Sequence, residues 1–344
     1  MRRCLALARL GQGSVAPNPM VGAVLCYGSR IIGEGYHRQY GQPHAEVNCL
    51  ASVAAEDLPL IPASTLYVSL EPCAHFGKTP PCADLIIRHQ IKRVVIGCRD
   101  PFPAVDGKGM EKLKAAGIDI VFPVLESACM AINERFFTFH LKQRPYIVLK
   151  WAQTSNGITG YRGNERLLIS HPFSNRLVHR WRSEAAAILV GTETALLDNP
   201  SLTTRQWVGN SPVRVVTDRG LRLPATLALF DGKTPTVVLN LQRDGTHHNL
   251  RYVRMEAPGA PQQICSALHG LGLQSVLIEG GTRLLQAFLD EGRFDEIRIL
   301  TAAGTADETP AAIKAPRLPG LLHVQAEQLQ QDRIDYYRPL PGIA

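Results

Sequence analysis

A chain of 344 residues is long enough for two domains that each bury a core, and its 45% hydrophobic share is typical of a globular protein. No stretch reaches the roughly 18 apolar residues that a membrane span needs, so we expect no membrane partner. The net charge of +7 comes from scattered lysines and arginines without a basic run, which favours small anionic ligands over nucleic acid.

The first part of the chain alternates predicted helices and strands. Apolar periodicity and turn residues predict a helix over 2–10, a hairpin of strands 20–26 and 30–36, a helix over 45–57, a strand at 65–70, a helix over 82–89, a strand at 93–98, a helix near 109–116, a strand at 118–122 and a helix over 126–142. The first helix is amphipathic and lacks a cleavage pattern, so no signal peptide is predicted. Six of the eight cysteines lie singly in apolar runs, which indicates a reducing compartment, and we expect the cytoplasm.

A second domain is predicted to begin at the Arg144-Pro145 junction, because helices seldom continue into the residue before a proline. We therefore expect an α/β protein with domains at 1–144 and 145–344. The second domain has predicted strands at 146–152, 186–190, 213–217, 236–240, 275–279, 296–301 and 334–338, and a helix at 174–182.

Two stretches of the second domain are candidate ligand sites. Glu279-Gly280-Gly281 ends a buried strand and runs directly into a helix, where bare backbone N–H groups can receive a phosphate. Residues 189–205 place a polar cluster at the carboxyl end of another strand, where open α/β sheets bind ligands. Such glycines are also common connectors between a strand and a helix. No G-x-G-x-x-G is present, which disfavours a standard dinucleotide-binding Rossmann unit.

The strongest chemical signal lies in the first domain. His44, Cys73 and Cys82 offer one imidazole and two thiolates, the three-protein-ligand set of a catalytic zinc that keeps its fourth position for water. Glu46, two positions after the histidine, is suited to general acid/base work beside the metal, as in zinc nucleobase deaminases. Taken alone, a histidine or a cysteine is more often a packed core residue. The signal comes from the order of the residues together.

Eight residues separate the two cysteines, where the common deaminase pattern has two. The insert must loop out beside the metal, so its His75 and Lys78 are candidates to face a substrate.

Several segments closely resemble the bifunctional deaminase/reductase family of riboflavin biosynthesis, for which the eight-residue spacing is characteristic. The matching segments are PNPMVGAV from Pro17, GYH from Gly35, HAE from His44, EPCAHFGKTPPC from Glu71, DNPSLT from Asp198 and EGG from Glu279. The resemblance implies a cytidine-deaminase-like three-layer α/β domain followed by a dihydrofolate-reductase-like α/β domain.

The resemblance also implies two consecutive reactions. Zinc-dependent hydrolytic deamination of 2,5-diamino-6-(5-phosphoribosylamino)pyrimidin-4(3H)-one would be followed by NADPH-dependent reduction of its ribosyl group to ribityl. The cofactors would be Zn²⁺ and NADPH, the partner a small phosphorylated pyrimidine, and the assembly a homo-oligomer, either a dimer or a tetramer.

The resemblance assigns roles to individual residues. Glu46 would be catalytic. The deaminase pocket would be lined by Asn18, His37, His75 and Lys78. The reductase substrate would meet Lys150, Arg182, Leu202, Arg205 and Glu279, with its phosphate between the two arginines. NADPH would be held by Gln153, Thr194, Asp198, Gly281 and Thr282.

Two other hypotheses share parts of this pattern. A zinc-dependent nucleoside or transfer-RNA adenosine deaminase with a fused nucleotide-binding module would use the same metal chemistry, but normally has the short Cys-x-x-Cys spacing. A non-enzymatic zinc-stabilised sensor or assembly module would need a fourth protein ligand, for which His75 is the candidate.

Overall fold

The computed structural model describes residues 1–76, 80–163 and 167–340. The chain divides into two compact units, Met1–Lys142 and Gln143–Ala344. None of the helices within the described ranges has both the length and the apolar character to cross a membrane.

The first unit is a five-stranded sheet with helices on both faces. Its helices are α1 (Arg2–Ala8), α2 (Ala45–Ala51), α3 (Cys82–Arg88), α4 (Lys108–Ala115), α5 (Glu126–Ala131) and α6 (Glu134–Lys142). Its strands are β1 (Gly22–Tyr27), β2 (Arg30–Tyr36), β3 (Thr65–Leu70), β4 (Arg93–Cys98) and β5 (Asp119–Val121), in the order β2-β1-β3-β4-β5. Short 3₁₀ helices lie at Arg9–Gly11 and Ala55–Ala63.

Separate apolar clusters show the three layers. One joins the sheet to α2, α3 and α4 through buried residues such as Leu50, Ile86 and Leu113. The other clusters pack α1, α5 and α6 on the sheet through residues such as Leu7 and Phe136. The expected three-layer α/β domain is therefore present.

Two predicted helices of this unit are shorter than expected. The predicted helix over 45–57 ends at Ala51. Residues Ala55–Ala63 form a 3₁₀ helix and not an α-helix, because Pro59 and Pro62 lack the N–H groups that an α-helix needs. The predicted helix over 126–142 is two helices, α5 and α6. The Asn133 amide lies between them and bonds both backbone groups of Met20, at 2.8 and 2.9 Å. A long-range contact therefore accompanies the break.

The second unit is built on a ten-stranded sheet. Its helices are α7 (Pro172–Glu184), α8 (Thr192–Asp198), α9 (Pro261–Gly270) and α10 (Thr282–Asp290), with a 3₁₀ turn at Ala228–Phe230. Its strands are β6 (Tyr146–Gln153), β7 (Ile158–Tyr161), β8 (Ala187–Gly191), β9 (Val213–Thr217), β10 (Thr236–Asn240), β11 (Gly245–His247), β12 (Leu250–Arg254), β13 (Ser275–Gly280), β14 (Glu296–Thr301), β15 (Ala312–Lys314), β16 (Leu321–Leu329) and β17 (Asp332–Pro339).

The order of strands in the large sheet is β11-β12-β10-β9-β8-β13-β6-β14-β17-β16, while β15 pairs with β7. The run from β12 to β14 is parallel, so the carboxyl ends of these strands meet at one edge. The strands β8, β9, β10 and β12, which follow β6 along the chain, lie in that order on one side of β6. The chain then returns, and β13 lies next to β6 on that side while β14 lies on its other side. Ligands of open α/β sheets bind at such a reversal, which here lies at the ends of β8, β13 and β6.

Several strands of the second unit were not predicted, namely β7, β11, β12, β15 and β16. The residues of β11 are all exposed, and most of those of β16 are exposed too. Strands without a buried face lack the apolar alternation on which the prediction depends. The central strands β9, β10 and β14 have the predicted bounds, because their buried faces produce strong apolar runs.

Candidate active sites

The structure brings together the three predicted metal ligands of the first unit. His44 is the residue immediately before α2, Cys73 follows β3, and Cys82 is the first residue of α3. The Nδ1 atom of His44 lies 3.6 Å from the Cys73 sulfur and 3.4 Å from the Cys82 sulfur. All three ligand atoms lie within 4.8 Å of one another.

This geometry fits zinc. Zinc bonds of about 2.0–2.1 Å to nitrogen and about 2.3 Å to sulfur, at tetrahedral angles, place the two ligand atoms about 3.6 Å apart. Within the described ranges, the group of close ligand atoms contains His44, Cys73 and Cys82 and does not include His75. A closed site with four protein ligands, as the sensor hypothesis requires, is therefore not supported by these residues.

The two cysteine thiols differ in how readily they ionise. The hydrogen bond from the Cys82 thiol lowers the pKa of Cys73 to about 4, and the same bond raises the pKa of Cys82. The backbone N–H of Cys82 also donates to the Cys73 sulfur, at 3.3 Å. The Cys73 thiol is therefore the easier of the two to ionise.

Glu46 lies beside the ligands, in the first turn of α2, and its side chain is 3% exposed. Burial raises the pKa of this carboxyl group, and the nearby Cys73 sulfur raises it further. A carboxyl group whose pKa is moved towards neutrality can both accept and return a proton, as a general acid/base must.

Asn18 and His37 form a hydrogen-bonded pair next to His44. The Asn18 amide donates to Nε2 of His37 at 3.1 Å, and Nδ1 of His37 lies 3.1 Å from the Pro43 carbonyl oxygen. The His37 and His44 rings meet edge to face, with centroids 5.3 Å apart. Because His37 is buried, which lowers its pKa, it is suited to holding neighbouring groups in place as a neutral ring.

His75, in the segment between the two cysteines, has a ring nitrogen that could bond to a ligand. Its Nδ1 atom is buried and has no hydrogen-bond partner among the described residues, and its ring lies 5.8 Å from that of Phe102. A buried polar atom of this kind is satisfied when a ligand supplies a partner. Lys78, the other predicted residue of the insert, lies outside the described residues.

Two residues that support the metal site were missed by the sequence analysis. The buried Glu71 carboxylate accepts backbone N–H groups of Asp100, Gly107, Gly109 and Met110, at 3.0–3.3 Å. A Cβ atom on Gly109 would lie 1.9 Å from the Pro72 carbonyl oxygen. The segment that leads into Cys73 is thus fixed by α4. A carboxylate directly after a buried strand was the available signal for Glu71.

In the second unit, Arg182 and Glu279 form a buried ion pair. Two guanidinium nitrogens of Arg182 donate to the two Glu279 oxygens at 2.8 and 2.6 Å, and the side chains are 12% and 7% exposed. Burial opposes the charge of Glu279, but Arg182 and Lys150 hold its pKa at about 2. Burial lowers the pKa of Lys150. Arg182, Glu279 and Lys150 therefore lie close enough to one another to interact electrostatically.

The loop after α8 carries the other two predicted substrate residues. The Leu202 side chain is 2% exposed and packs in the core with Ile188 and Ala195, so only its backbone is placed to meet a ligand. Arg205 is exposed, and its Nη1 atom donates to the hydroxyl oxygens of Ser201 and Thr203. Of the predicted phosphate-binding pair, Arg182 is already engaged with a carboxylate and Arg205 is not.

The predicted cofactor residues lie at the same edge of the sheet. Gln153 ends β6 and accepts the Trp151 indole N–H at 2.8 Å, while Asp198 ends α8. A Cβ atom on Gly281 would lie 3.1 Å from the Thr194 hydroxyl oxygen, so this position has little room for a side chain. Gly281 and Thr282, at the start of α10, are partly exposed. Bare N–H groups at a helix start fit a phosphate of a dinucleotide.

Comparison with known proteins identifies the same two domains. Residues 1–98 match the cytidine and deoxycytidylate deaminase zinc-binding region, and residues 145–330 match the RibD C-terminal domain. The riboflavin biosynthesis protein RibD of Aquifex aeolicus is 39% identical over 88% of this chain and 85% of its own length. The Escherichia coli protein of that name is 33% identical over 88% and 86%.

Solved structures give the same result. A Thermotoga maritima diaminohydroxyphosphoribosylaminopyrimidine deaminase/5-amino-6-(5-phosphoribosylamino)uracil reductase has a TM-score of 0.84 and 34% identity, covering 99% of this chain and 97% of its own. Acinetobacter baumannii RibD has a TM-score of 0.88 and 30% identity, covering 98% and 97%.

Fold and site together define a two-domain enzyme, a zinc-dependent deaminase followed by a reductase that uses NADPH. The chain belongs to the RibD family of riboflavin biosynthesis proteins. The predicted cytidine-deaminase-like and dihydrofolate-reductase-like folds are confirmed.

Proposed function

We propose that the chain deaminates 2,5-diamino-6-(5-phosphoribosylamino)pyrimidin-4(3H)-one and then reduces the ribosyl group of the product, 5-amino-6-(5-phosphoribosylamino)uracil, to ribityl. The observation that carries the proposal is the open cluster of His44, Cys73 and Cys82 with Glu46 buried beside it. The Thermotoga maritima relative, whose name states both activities, supports the choice of substrate.

In the deaminase domain, His44, Cys73 and Cys82 would hold zinc, which lowers the pKa of water so that water can attack at neutral pH. Glu46 takes a proton from the attacking water and delivers it to the amino group that leaves the pyrimidine ring as ammonia. His75 offers its buried Nδ1 atom to the substrate, while Asn18 and His37 keep the His44 region in place.

In the reductase domain, NADPH supplies a hydride for C1 of the ribosyl group, reached as an open-chain imine whose nitrogen takes a proton. Lys150, Glu279 and Arg182 form a group of charged side chains that orients the sugar. Arg205 contacts the substrate phosphate together with Arg182. The cofactor would be held by Gln153, Thr194, Asp198 and the start of α10 at Gly281 and Thr282.

A single assay tests both reactions. The diaminopyrimidinone nucleotide is supplied with and without NADPH, and ammonia and the absorbance of NADPH are followed separately. We expect ammonia in both cases and NADPH consumption only after deamination. Release of ammonia from adenosine or from transfer RNA in place of this nucleotide would contradict the proposed substrate.

We further propose that residues 1–144 carry the deaminase and residues 145–344 the reductase, and that the protein works in the cytoplasm as a homo-dimer or homo-tetramer. The eight cysteines are all free thiols, which supports a reducing compartment. Light scattering coupled to size-exclusion chromatography tests the assembly, and a monomeric mass at micromolar concentration would contradict it.

A further inference from the structure

His179 is a buried polar residue on α7 for which the proposed reaction has no role so far. It is 5% exposed, and it precedes Arg182 by three positions on the same helix. Residues three apart on a helix are neighbours on one face. His179 therefore lies on the side of α7 that carries the Arg182–Glu279 ion pair.

His179 binds the loop that carries Arg205. The backbone N–H of Arg205 donates to Nδ1 of His179 at 3.0 Å. Nearby, Nη1 of Arg182 donates to the Thr203 carbonyl oxygen at 3.3 Å. The helix therefore holds residues 203–205 at two points, one of them the backbone of Arg205 itself.

The protonation state of His179 suits this contact. Burial, followed by the nearby Arg182 and Arg205 guanidinium groups, lowers the pKa of His179 to about 4. The ring is neutral at pH 7, and because Nδ1 accepts a hydrogen bond, the proton is on Nε2. A protonated ring would instead present two N–H donors and oppose the Arg205 N–H.

We propose that His179 is a positioning residue of the reductase reaction, which fixes the backbone of Arg205 so that its guanidinium group meets the substrate phosphate. The inference rests on the proposed function, in which Arg205 contacts that phosphate. The Arg205 side chain is exposed, whereas its backbone N–H ends on a buried acceptor. Without that acceptor, Arg205 is still present in the loop, but its backbone is no longer fixed and its guanidinium group loses its orientation.

The test uses three substitutions in the full-length protein loaded with zinc and assayed with NADPH. His179→Asn keeps an oxygen acceptor close to the position of Nδ1. His179→Gln is the matched control, because its acceptor falls nearer the position of Nε2. His179→Ala removes the acceptor. We expect the reductase KM for the phosphorylated substrate to rise about tenfold in the Ala and Gln variants and less than about threefold in the Asn variant, with kcat little changed.

A double variant shows whether His179 acts through Arg205. If it does, His179→Ala combined with Arg205→Ala raises KM no further than Arg205→Ala alone, because the positioned group is already absent. Multiplied effects would overturn the inference, and so would a Gln variant that performs better than the Asn variant. If the Ala variant fails to fold, the Asn and Gln pair still decides the outcome.

Failure of the inference and failure of the proposed function give different results. If Arg205→Ala raises KM but His179→Gln does not, the positioning role of His179 is wrong and the phosphate contact stands. If Arg205→Ala leaves KM unchanged, the proposed phosphate contact is wrong, and the inference falls with it. The deaminase rate of each preparation serves as the control for intact protein.

Discussion

The two sites of this chain are assembled in opposite ways. In the first unit, the three metal ligands come from a stretch in which His44 and Cys82 are 38 positions apart. In the second unit, the partners of one ion pair, Arg182 and Glu279, are 97 positions apart and belong to different elements. The ligands of the first site come from a shorter stretch of the chain than the paired residues of the second.

The difference explains which chemistry each site can support. A cation is held by a few close ligands, so a short segment with a fixed geometry is sufficient. A long substrate and a dinucleotide need contacts spread over many ångströms, which the joined ends of several parallel strands provide. Changes in the first site should therefore abolish one step, whereas changes in the second should weaken binding gradually.

The most severe test of this contrast is Glu46→Gln. The variant should bind one zinc per chain but lose deamination by about 10²–10⁴-fold, because the carboxylate moves protons and is not a ligand. Metal analysis and ammonia release measure the two properties. The reductase rate on the deaminated substrate is the control. A variant that keeps more than about a tenth of its ammonia release would contradict the role of Glu46.

Glu71→Ala tests a residue that supports the metal site but has no proposed role in the reaction. Removing the carboxylate leaves four buried N–H groups without their acceptor, which should lower the free energy of unfolding of the first unit by about 3–5 kcal/mol. Urea unfolding followed by circular dichroism measures the loss.

The chain supplies its own controls for that measurement. Its three tryptophans, Trp151, Trp181 and Trp207, all lie in the second unit, so their fluorescence transition should stay unchanged. Glu34→Ala breaks an ion pair with the exposed Arg3 and should leave the free energy of unfolding nearly unchanged. Equal losses for the Glu71 and Glu34 variants would show that the Glu71 contacts contribute little.

Arg205→Ala tests the gradual behaviour of the second site. The reductase KM should rise about tenfold to a hundredfold, because a charge-assisted bond to phosphate is lost while the reacting C1 lies elsewhere. Deamination should not change. Arg176→Ala, on an exposed position of α7, is the matched control. If the Arg205 variant still prefers the phosphorylated substrate by the wild-type margin, the phosphate binds elsewhere.

The smallest effect is expected from cutting the chain near Arg144-Pro145. Each unit has its own sheet and its own buried clusters, so residues 1–144 should bind zinc and deaminate at close to the full-length rate. The complementary fragment, residues 143–344, which keeps the buried Arg144–Asp295 ion pair, should reduce the deaminated substrate. Two halves that are folded by circular dichroism but both inactive would mean that neither site is complete within its unit.

Much of the first site could be predicted from the sequence, because few residue types bind zinc and these occur here in a specific order. His44, Cys73 and Cys82 do converge, and strands β3 and β4 have the predicted bounds. The position of Glu71 directly after a buried strand was a signal, but its partners could not be predicted, because they are backbone groups that have no sequence signature.

The second site was predicted mainly through family resemblance. Nothing in the spacing of Arg182 and Glu279 indicates that they pair, since only the folded sheet brings β13 next to α7. The same holds for His179, whose partner is a backbone N–H. Exposed strands such as β11 and β16 were missed because they bury no face. Contacts that depend on tertiary structure carry no local pattern.

The close approach of Gly109 to the Pro72 carbonyl oxygen has a consequence for variation of the sequence. In a library of all single substitutions selected for growth without added riboflavin, position 109 should tolerate no other residue, although glycine has no side chain that could bind a metal, substrate or cofactor. Even alanine would push the Pro72 peptide away from α4, and Cys73, the next residue, would move with it. Excess zinc should restore the growth of such a variant more than lower temperature does. This result would distinguish a displaced ligand from an unfolded domain.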